Sequence, residues 1–400
     1  MRFSSAAALA ALALAASGCQ KKEAPQPPSA AQSAAAPAGD TILIGHVASM
    51  TGNEATFGDS TDKGIKLALE EQNKKGGVKG KQLVLKTLDD QGKPEEAAVA
   101  ATRLVIQDRV TVLLGEVASS RSLAMAPIAD ANQVPMVTPS STNPRVTKDQ
   151  GKTRPYVFRV CFIDPFQGTV MAKYARETMK ISKVAILRDV GNDYSVGLAD
   201  FFANKFKELG GEIVADLSFK AGDKDFKAQL TAIKGKKPEA IYVPGYYTEV
   251  ALIARQTREL GMKQPLMGGD GWDSSQLYEI AKGALDAQGG GMPSAFSNHY
   301  SHENPAPVIQ DFVRRYKEQF GVIPDGLAAQ GYDAARISID AMERAKDLTG
   351  PSIREALENT KGFQGVTGVI TIDADHNAVK PAVVLVIEKN AGKYATTINP

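Results

Sequence analysis

The sequence predicts an α/β protein built as two doubly wound, Rossmann-like lobes. Three observations lead there. At 400 residues the chain is longer than one ordinary core accommodates. Beyond residue 39, short apolar runs alternate with amphipathic helical patterns, and that alternation restarts after Cys161. Strands that read as continuous apolar runs are buried on both faces, which implies parallel sheets with helices on either side. Two such runs imply two lobes.

The first run opens with a strand at Ile42-Leu43-Ile44-Gly45. Ile65, Ala68, Leu69 and Gln72 then keep the i, i+3, i+4, i+7 spacing of a helix face, which Gly76-Gly77 ends. Leu83–Leu88 is a strand. Pro94 stands at the favoured first helical position, followed by Glu95 and Glu96 at the positive helix end. Val110–Leu114 is a strand, Ser119 precedes a helix, and Val134–Val137 is the next strand. In the second run a helix begins at Asp164-Pro165. Strands at Lys183–Leu187, Ile213–Phe219, Ala240–Val243 and Leu266-Met267 alternate with helices at Tyr194–Leu209, Phe226–Ile233 and across Val250, Ile253, Ala254 and Leu260. A last block holds helices through Ile309–Phe320 and Tyr332–Ala345, then strands at Val366–Ile372 and Val383–Ile387.

Composition narrows the function. Lys+Arg 47 against Asp+Glu 45 leaves no strong basic field, which argues against a nucleic-acid partner. His46, His299, His302 and His376 are scattered. Asn304 and Pro305 argue against a metal-bearing helix at His299 and His302, so these two read as loop polarity and no metal or cofactor is expected. Cys161 stands alone in the body and reads as a small buried hydrophobe. No apolar run beyond residue 39 reaches the eighteen residues of a membrane span. Residues 1–18 read as a signal peptide: Met1-Arg2-Phe3, then Ala/Leu-rich Ala6–Ala16. Ala16-Ser17-Gly18-Cys19 resembles the lipobox of bacterial lipoproteins, with Ala16 where Leu is usual, so Cys19 is the expected lipidation site. Residues 19–39, rich in Ala, Pro, Gln and Ser, read as a flexible tether. No G-x-S-x-G, H-E-x-x-H or Walker A sequence occurs, and Gly268-Gly269-Asp270-Gly271 does not fit the dinucleotide fingerprint, so the chain does not read as an enzyme.

In doubly wound sheets ligands bind past the carboxyl ends of the strands, where helix N-termini offer free N–H groups. Two such crests in the first run carry Ser119, Ser120, Ser140, Ser141 and Thr142, a neutral cradle suited to a carboxylate. The same residues serve equally as helix caps and turn formers, and spacing leaves both readings open. The crests of the second run hold Tyr194, Tyr246 and Trp272, and an acid, Asp270, in a Gly-rich setting. An acid facing a ligand ammonium would complete an α-amino-acid site. A turn role for Asp270 and lobe packing for Tyr194 and Trp272 stand as the alternatives.

From residue 40 to 400 the chain resembles the branched-chain amino-acid binding proteins of bacterial ABC importers. The resemblance runs through Ile44–Phe57, Asn73–Gly77, Gly115–Ser120, Pro135–Pro144, Phe158-Arg159, Lys224-Asp225-Phe226, Met267–Gly271 and Gly331-Tyr332-Asp333-Ala334. It implies the type I periplasmic-binding fold, two lobes joined by a three-stranded hinge near Val160, Met292–Phe296 and His376–Pro381. Lobe 1 is then 40–160 plus 293–376, and lobe 2 is 161–292 plus 377–400. It also implies roles. Ser119 and Thr142 bind the ligand carboxylate, and Ser140 offers its carbonyl to the ammonium. Asp270 stands where relatives often carry Glu to pair with that ammonium. Tyr194 and Tyr246 close over the ligand, and Phe57 and Val117 form walls. Trp272, from its neighbourhood alone, is expected to narrow the side-chain pocket. Gly92 and Ala118 replace a disulfide that some relatives have. The implied function is capture of an α-amino acid, branched-chain aliphatic first, by a monomer anchored in the cell envelope. It would deliver that ligand to an ABC transporter permease, with no cofactor. An aromatic or other small carboxylate as ligand, or a sensor subunit, are the alternatives.

Overall fold

The computed structural model describes residues 41–400, so the signal peptide, Cys19 and the whole tether lie outside the described residues. Thr41–Ala48 forms the second strand of a five-stranded, all-parallel sheet, because its Ile42, Ile44 and Val47 are buried. Across the sheet the strands are Gln82–Asp89, Thr41–Ala48, Val112–Leu114, Met136–Thr138 and Val157–Arg159. A second sheet has seven strands: Glu212–Phe219, Lys183–Asp189, Ala240–Tyr242, Leu266–Gly268 and Ala295–Asn298 run parallel, and Ala382–Glu388 and Ala391–Ile398 extend it antiparallel. In each sheet the five parallel strands take the spatial order 2-1-3-4-5 of doubly wound folds, so both sheets carry crest loops at a switch point.

Helices fall where apolar spacing predicts them. Ala55–Lys74 buries Ile65, Ala68 and Leu69, and Pro94–Thr102 starts on Pro with two acids in its first turn. Helices Pro307–Phe320, Gly326–Arg344 and Gly350–Glu358 add their apolar faces to the core of the first sheet. The chain passes between the sheets three times: after Arg159, after Asn298, and between Val379 and Ala382.

Three expectations need correction. The second crossing does not lie at Met292–Phe296: Ala295–Asn298 is a buried strand of the second sheet, paired on both sides, and the chain leaves after it. The helix expected from Tyr332 begins at Gly326, because Asp325 caps it by accepting from the Ala328 N–H at 2.8 Å. The strand expected at Val366–Ile372 is instead a hairpin, Phe363–Gly365 with Gly368–Ile372. Asp333 fixes its turn by accepting from the Val366 and Thr367 amides, each at 2.9 Å, and Gly368 takes φ 118° there. Cys161 is buried as expected, and burial pushes its thiol up to about 12. No helix among the described residues is long and apolar enough to cross a membrane.

Candidate functional site

The crests of the two sheets face each other across a narrow cleft that encloses only about 10 Å³ of free space. Val117, Ser119, Ser140 and Leu327 line one side, and Tyr194, Tyr246, Asp270 and Gly271 the other. A larger groove opens on the outer face of the first lobe. There Arg315 is already paired with Glu71 and Asp311, and the Tyr332 hydroxyl bonds the same Arg315 and Glu71, so these polar groups satisfy one another.

The hydroxyl side of the cavity is built from below. Ser119 is the first residue of helix Ser119–Ala131, so the free N–H groups of that helix end lie beside it. Its Oγ accepts from the Asn143 N–H at 3.2 Å, leaving the hydroxyl proton free to donate. The loop from Ser140 to Asn143 rests on Arg159, fully buried, which donates to the carbonyls of Ser141 at 2.6 Å and Asn143 at 2.9 Å. Ser141 does not face the cavity but ties the loop to Glu116 and Ser122. Thr142, expected beside the ligand carboxylate, is buried two residues beyond Ser140 and is not among the residues that line the cleft; its hydroxyl has no hydrogen-bond partner among the described residues. Beneath Ala118, Glu116 accepts from the amides of Ser49 and Ala118 and pairs with Arg121 at 3.0 Å. Burial works against its ionisation, but Arg121 and these donors outweigh burial and hold its carboxyl below the usual range.

The acidic side centres on Asp270. Its Oδ1 accepts from Gln167 Nε2 at 2.7 Å, and its Oδ2 from Ser140 Oγ at 3.1 Å and His299 Nε2 at 3.0 Å. Burial opposes ionisation here too, yet hydrogen bonds from His299 and Gln167 keep the carboxyl below its ordinary value. Burial pushes the His299 ring down to about 4, so it is neutral and donates through Nε2. Two glycines make room: a Cβ on Gly269 would stand 2.5 Å from the Tyr194 hydroxyl and 2.8 Å from Gln167 Nε2, and one on Gly268 would strike Trp272.

The aromatics divide. Tyr194 and Tyr246 stack with ring centroids 5.4 Å apart and line the cavity. Phe57 lies outside the lining and packs edge-on against Tyr246 and Tyr247. Trp272 turns away from the cavity: its ring is fully buried beside Phe296, and its Nε1 donates to the Val243 carbonyl at 3.0 Å. The expectation that it narrows the pocket therefore falls, because its one N–H finds a core carbonyl. His299 also departs from expectation: it is not loop polarity but a buried ring stacked on Phe162 at 3.6 Å.

Comparison with known proteins follows from this geometry. A family model described as periplasmic binding protein matches residues 41–393. The chain belongs to the periplasmic binding protein family. The Leu/Ile/Val-binding protein homolog 3 of Brucella melitensis is 33% identical over 342 residues, 85% of this chain and 89% of that protein. Among solved structures, a leucine binding protein LivK from Thermotoga maritima is 42% identical with a TM-score of 0.84, covering 90% of this chain and 99% of that one. The LivJ substrate-binding protein of Streptococcus pneumoniae, solved with isoleucine, is 34% identical with a TM-score of 0.82, covering 90% and 100%. These proteins share the type I periplasmic-binding fold with this chain.

In this periplasmic binding protein, sequence reasoning missed Leu327, Gln167, His299 and Arg159 as parts of the site. Arg159 had a signal, an arginine inside an apolar strand that must find partners. Gln167 and Leu327 look like ordinary helix residues, and His299 lies 29 positions from the acid it supports.

Proposed function

We propose that the chain is an extracytoplasmic solute-binding protein that captures an α-amino acid with a branched aliphatic side chain and delivers it to the permease of an ABC importer. The observation that carries this reading is the opposition, across one cavity, of a neutral hydroxyl and N–H cradle to an ionised acid from the other lobe. In this reading Ser119 and Thr142 hold the ligand carboxylate. The Ser140 carbonyl and Asp270 hold the ammonium. Val117 and Leu327 contact the side chain, with Tyr194 and Tyr246 closing over it and Phe57 backing Tyr246. The names and the bound isoleucine of the relatives support a branched-chain ligand. The three inter-lobe crossings act as the hinge, and differential contacts with the ligand favour the closed state. Micromolar affinity corresponds to about 8 kcal/mol. Charge-assisted hydrogen bonds of about 1.5–3 kcal/mol each and one buried side chain of about 1.5–3 kcal/mol reach that sum. The protein acts by binding, with no bond made or broken. Cys19 as a lipidated residue, followed by its tether, would hold a monomer at the membrane surface.

A thermal-shift screen of the purified protein against amino acids and aromatic acids tests this, since a ligand that prefers the native state raises the melting temperature. Leu, Ile or Val should give the largest shift. A benzoate-type acid shifting more than every amino acid would defeat the reading, because a buried acid disfavours a ligand without a cation. Uptake of labelled leucine, lost on deletion and restored by the chain, separates import from sensing.

A further inference from the structure

We infer that His299 and Gln167 are positioning residues of the ammonium subsite, holding the Asp270 carboxylate in the orientation that selects a ligand with an α-ammonium over one with a carboxylate alone. This rests on the amino-acid reading above.

The hydrogen bonds that the Asp270 carboxylate accepts come from three side chains: Gln167, His299 and Ser140. Ser140 belongs to the opposite lobe and departs when the lobes separate. Gln167, on helix Asp164–Lys173, and His299, directly after strand Ala295–Asn298, travel with the acid. The carboxylate is therefore aimed before closure, which lowers the ordering cost of binding.

Both donors are uncharged, and both are held with little else to do. His299 stacks flat on Phe162, and its Nδ1 has no partner among the described residues. The Gln167 amide oxygen has none either. Burying a histidine and an amide half-satisfied costs stability, so their one shared feature, a donor on Asp270, is what the arrangement serves. The nearby cations are engaged elsewhere. Arg159 holds the carbonyls of Ser141 and Asn143, Lys380 bonds the Val160 carbonyl and the Thr367 hydroxyl, and Arg121 pairs with Glu116. Asp270 is thus a buried anion oriented by dipoles and left without a cation. A ligand ammonium supplies that cation, and a ligand lacking one leaves the charge uncompensated.

The experiment measures affinity of the full chain for L-leucine and for 4-methylpentanoate, the same molecule without its amine. Calorimetry reads the former, and thermal shift at millimolar ligand reads the latter. His299→Phe keeps the stack on Phe162 and removes the donor, Gln167→Met removes the other donor, and His299→Gln restores one. Both donor-removing variants should bind leucine about tenfold or more weakly while holding 4-methylpentanoate as well as before, and His299→Gln should recover most of the loss. Equal loss for both ligands, or unchanged leucine affinity in folded variants, overturns the inference. If His299→Phe fails to fold, Gln167→Met decides alone. A wild-type protein that binds no α-amino acid overturns the underlying reading, and this inference with it, and is recognised because the failure appears before any substitution.

Discussion

Asp270 shows how one side chain depends on what its neighbours omit. Gln167 reaches its carboxylate, and the Tyr194 hydroxyl packs beside it, because Gly269 has no side chain there. Gly269→Ala should push the Gln167 amide and the Tyr194 ring back by several tenths of an ångström and weaken leucine binding by about 1.5–3 kcal/mol, the worth of a hydrogen bond to a charged group. Calorimetry checks this, with a far-ultraviolet spectrum unchanged from wild type. Crest position and residue type brought the acid and the serines forward as candidates, with caps and turns as the open alternative, and the structure lines the cleft with Ser119, Ser140 and Asp270. Trp272 was misread because adjacency to Asp270 says nothing about which way a ring turns. Here an N–H bond to Val243 and packing on Phe296 turn it inward.

At the scale of elements, the site is a set of helix starts and strand ends fixed by local chemistry. Asn192 caps helix Asp193–Glu208 by accepting from the Tyr194 and Ser195 amides, which sets where Tyr194 enters the cleft. The Ser140–Asn143 loop has local caps too, Thr138 on the Ser141 amide and Asn143 on the Arg145 amide, but two of its carbonyls are held by Arg159 from the neighbouring strand. Arg159→Met should leave two buried carbonyls short of a donor and destabilise the protein by about 2–4 kcal/mol, read as a lower urea midpoint with little change in slope. Hairpin Phe363–Ile372 shows the limit of reading elements from pattern. Its residues look like one apolar strand until Asp333, some thirty positions earlier, bonds the turn amides.

Over the whole molecule, contacts between lobes govern closure. Ser120 and Asp193 exchange hydrogen bonds at 3.0 Å, Asn143 donates to the Asp193 carbonyl at 2.8 Å, and Arg145 pairs with its carboxylate. Asp193 does not line the cavity, so Asp193→Ala should lower leucine affinity about tenfold through the closed state alone, with a faster off-rate in stopped-flow as the check. Charge burial sets the response to pH. Burial raises Asp164 to about 8 and Glu54 to about 7, so the folded protein holds protons that the unfolded chain releases near pH 4. That stability is fully present below the unfolded pKa and is lost as pH rises through the folded value. His299 works in the opposite direction below about 6.5, so Asp164 is best isolated by substitution. The melting temperature of Asp164→Asn minus that of wild type should grow from pH 4 toward 8 and level off above it. A difference flat in pH would show that Asp164 ionises normally when folded.

Apolar periodicity and helix-start chemistry along the chain were enough to specify two doubly wound lobes and the crests on which a ligand would sit. These are local properties, written within a dozen residues of where they act. Tertiary packing alone decided which crest residues meet: that Ser140 and Asp270, 130 positions apart, share a hydrogen bond, that Arg159 underpins one half of the site and His299 the other, and that Trp272 stays in the core. Such pairings depend on how two sheets are set against each other, and a buried polar group takes whichever partner that setting brings within about 3 Å.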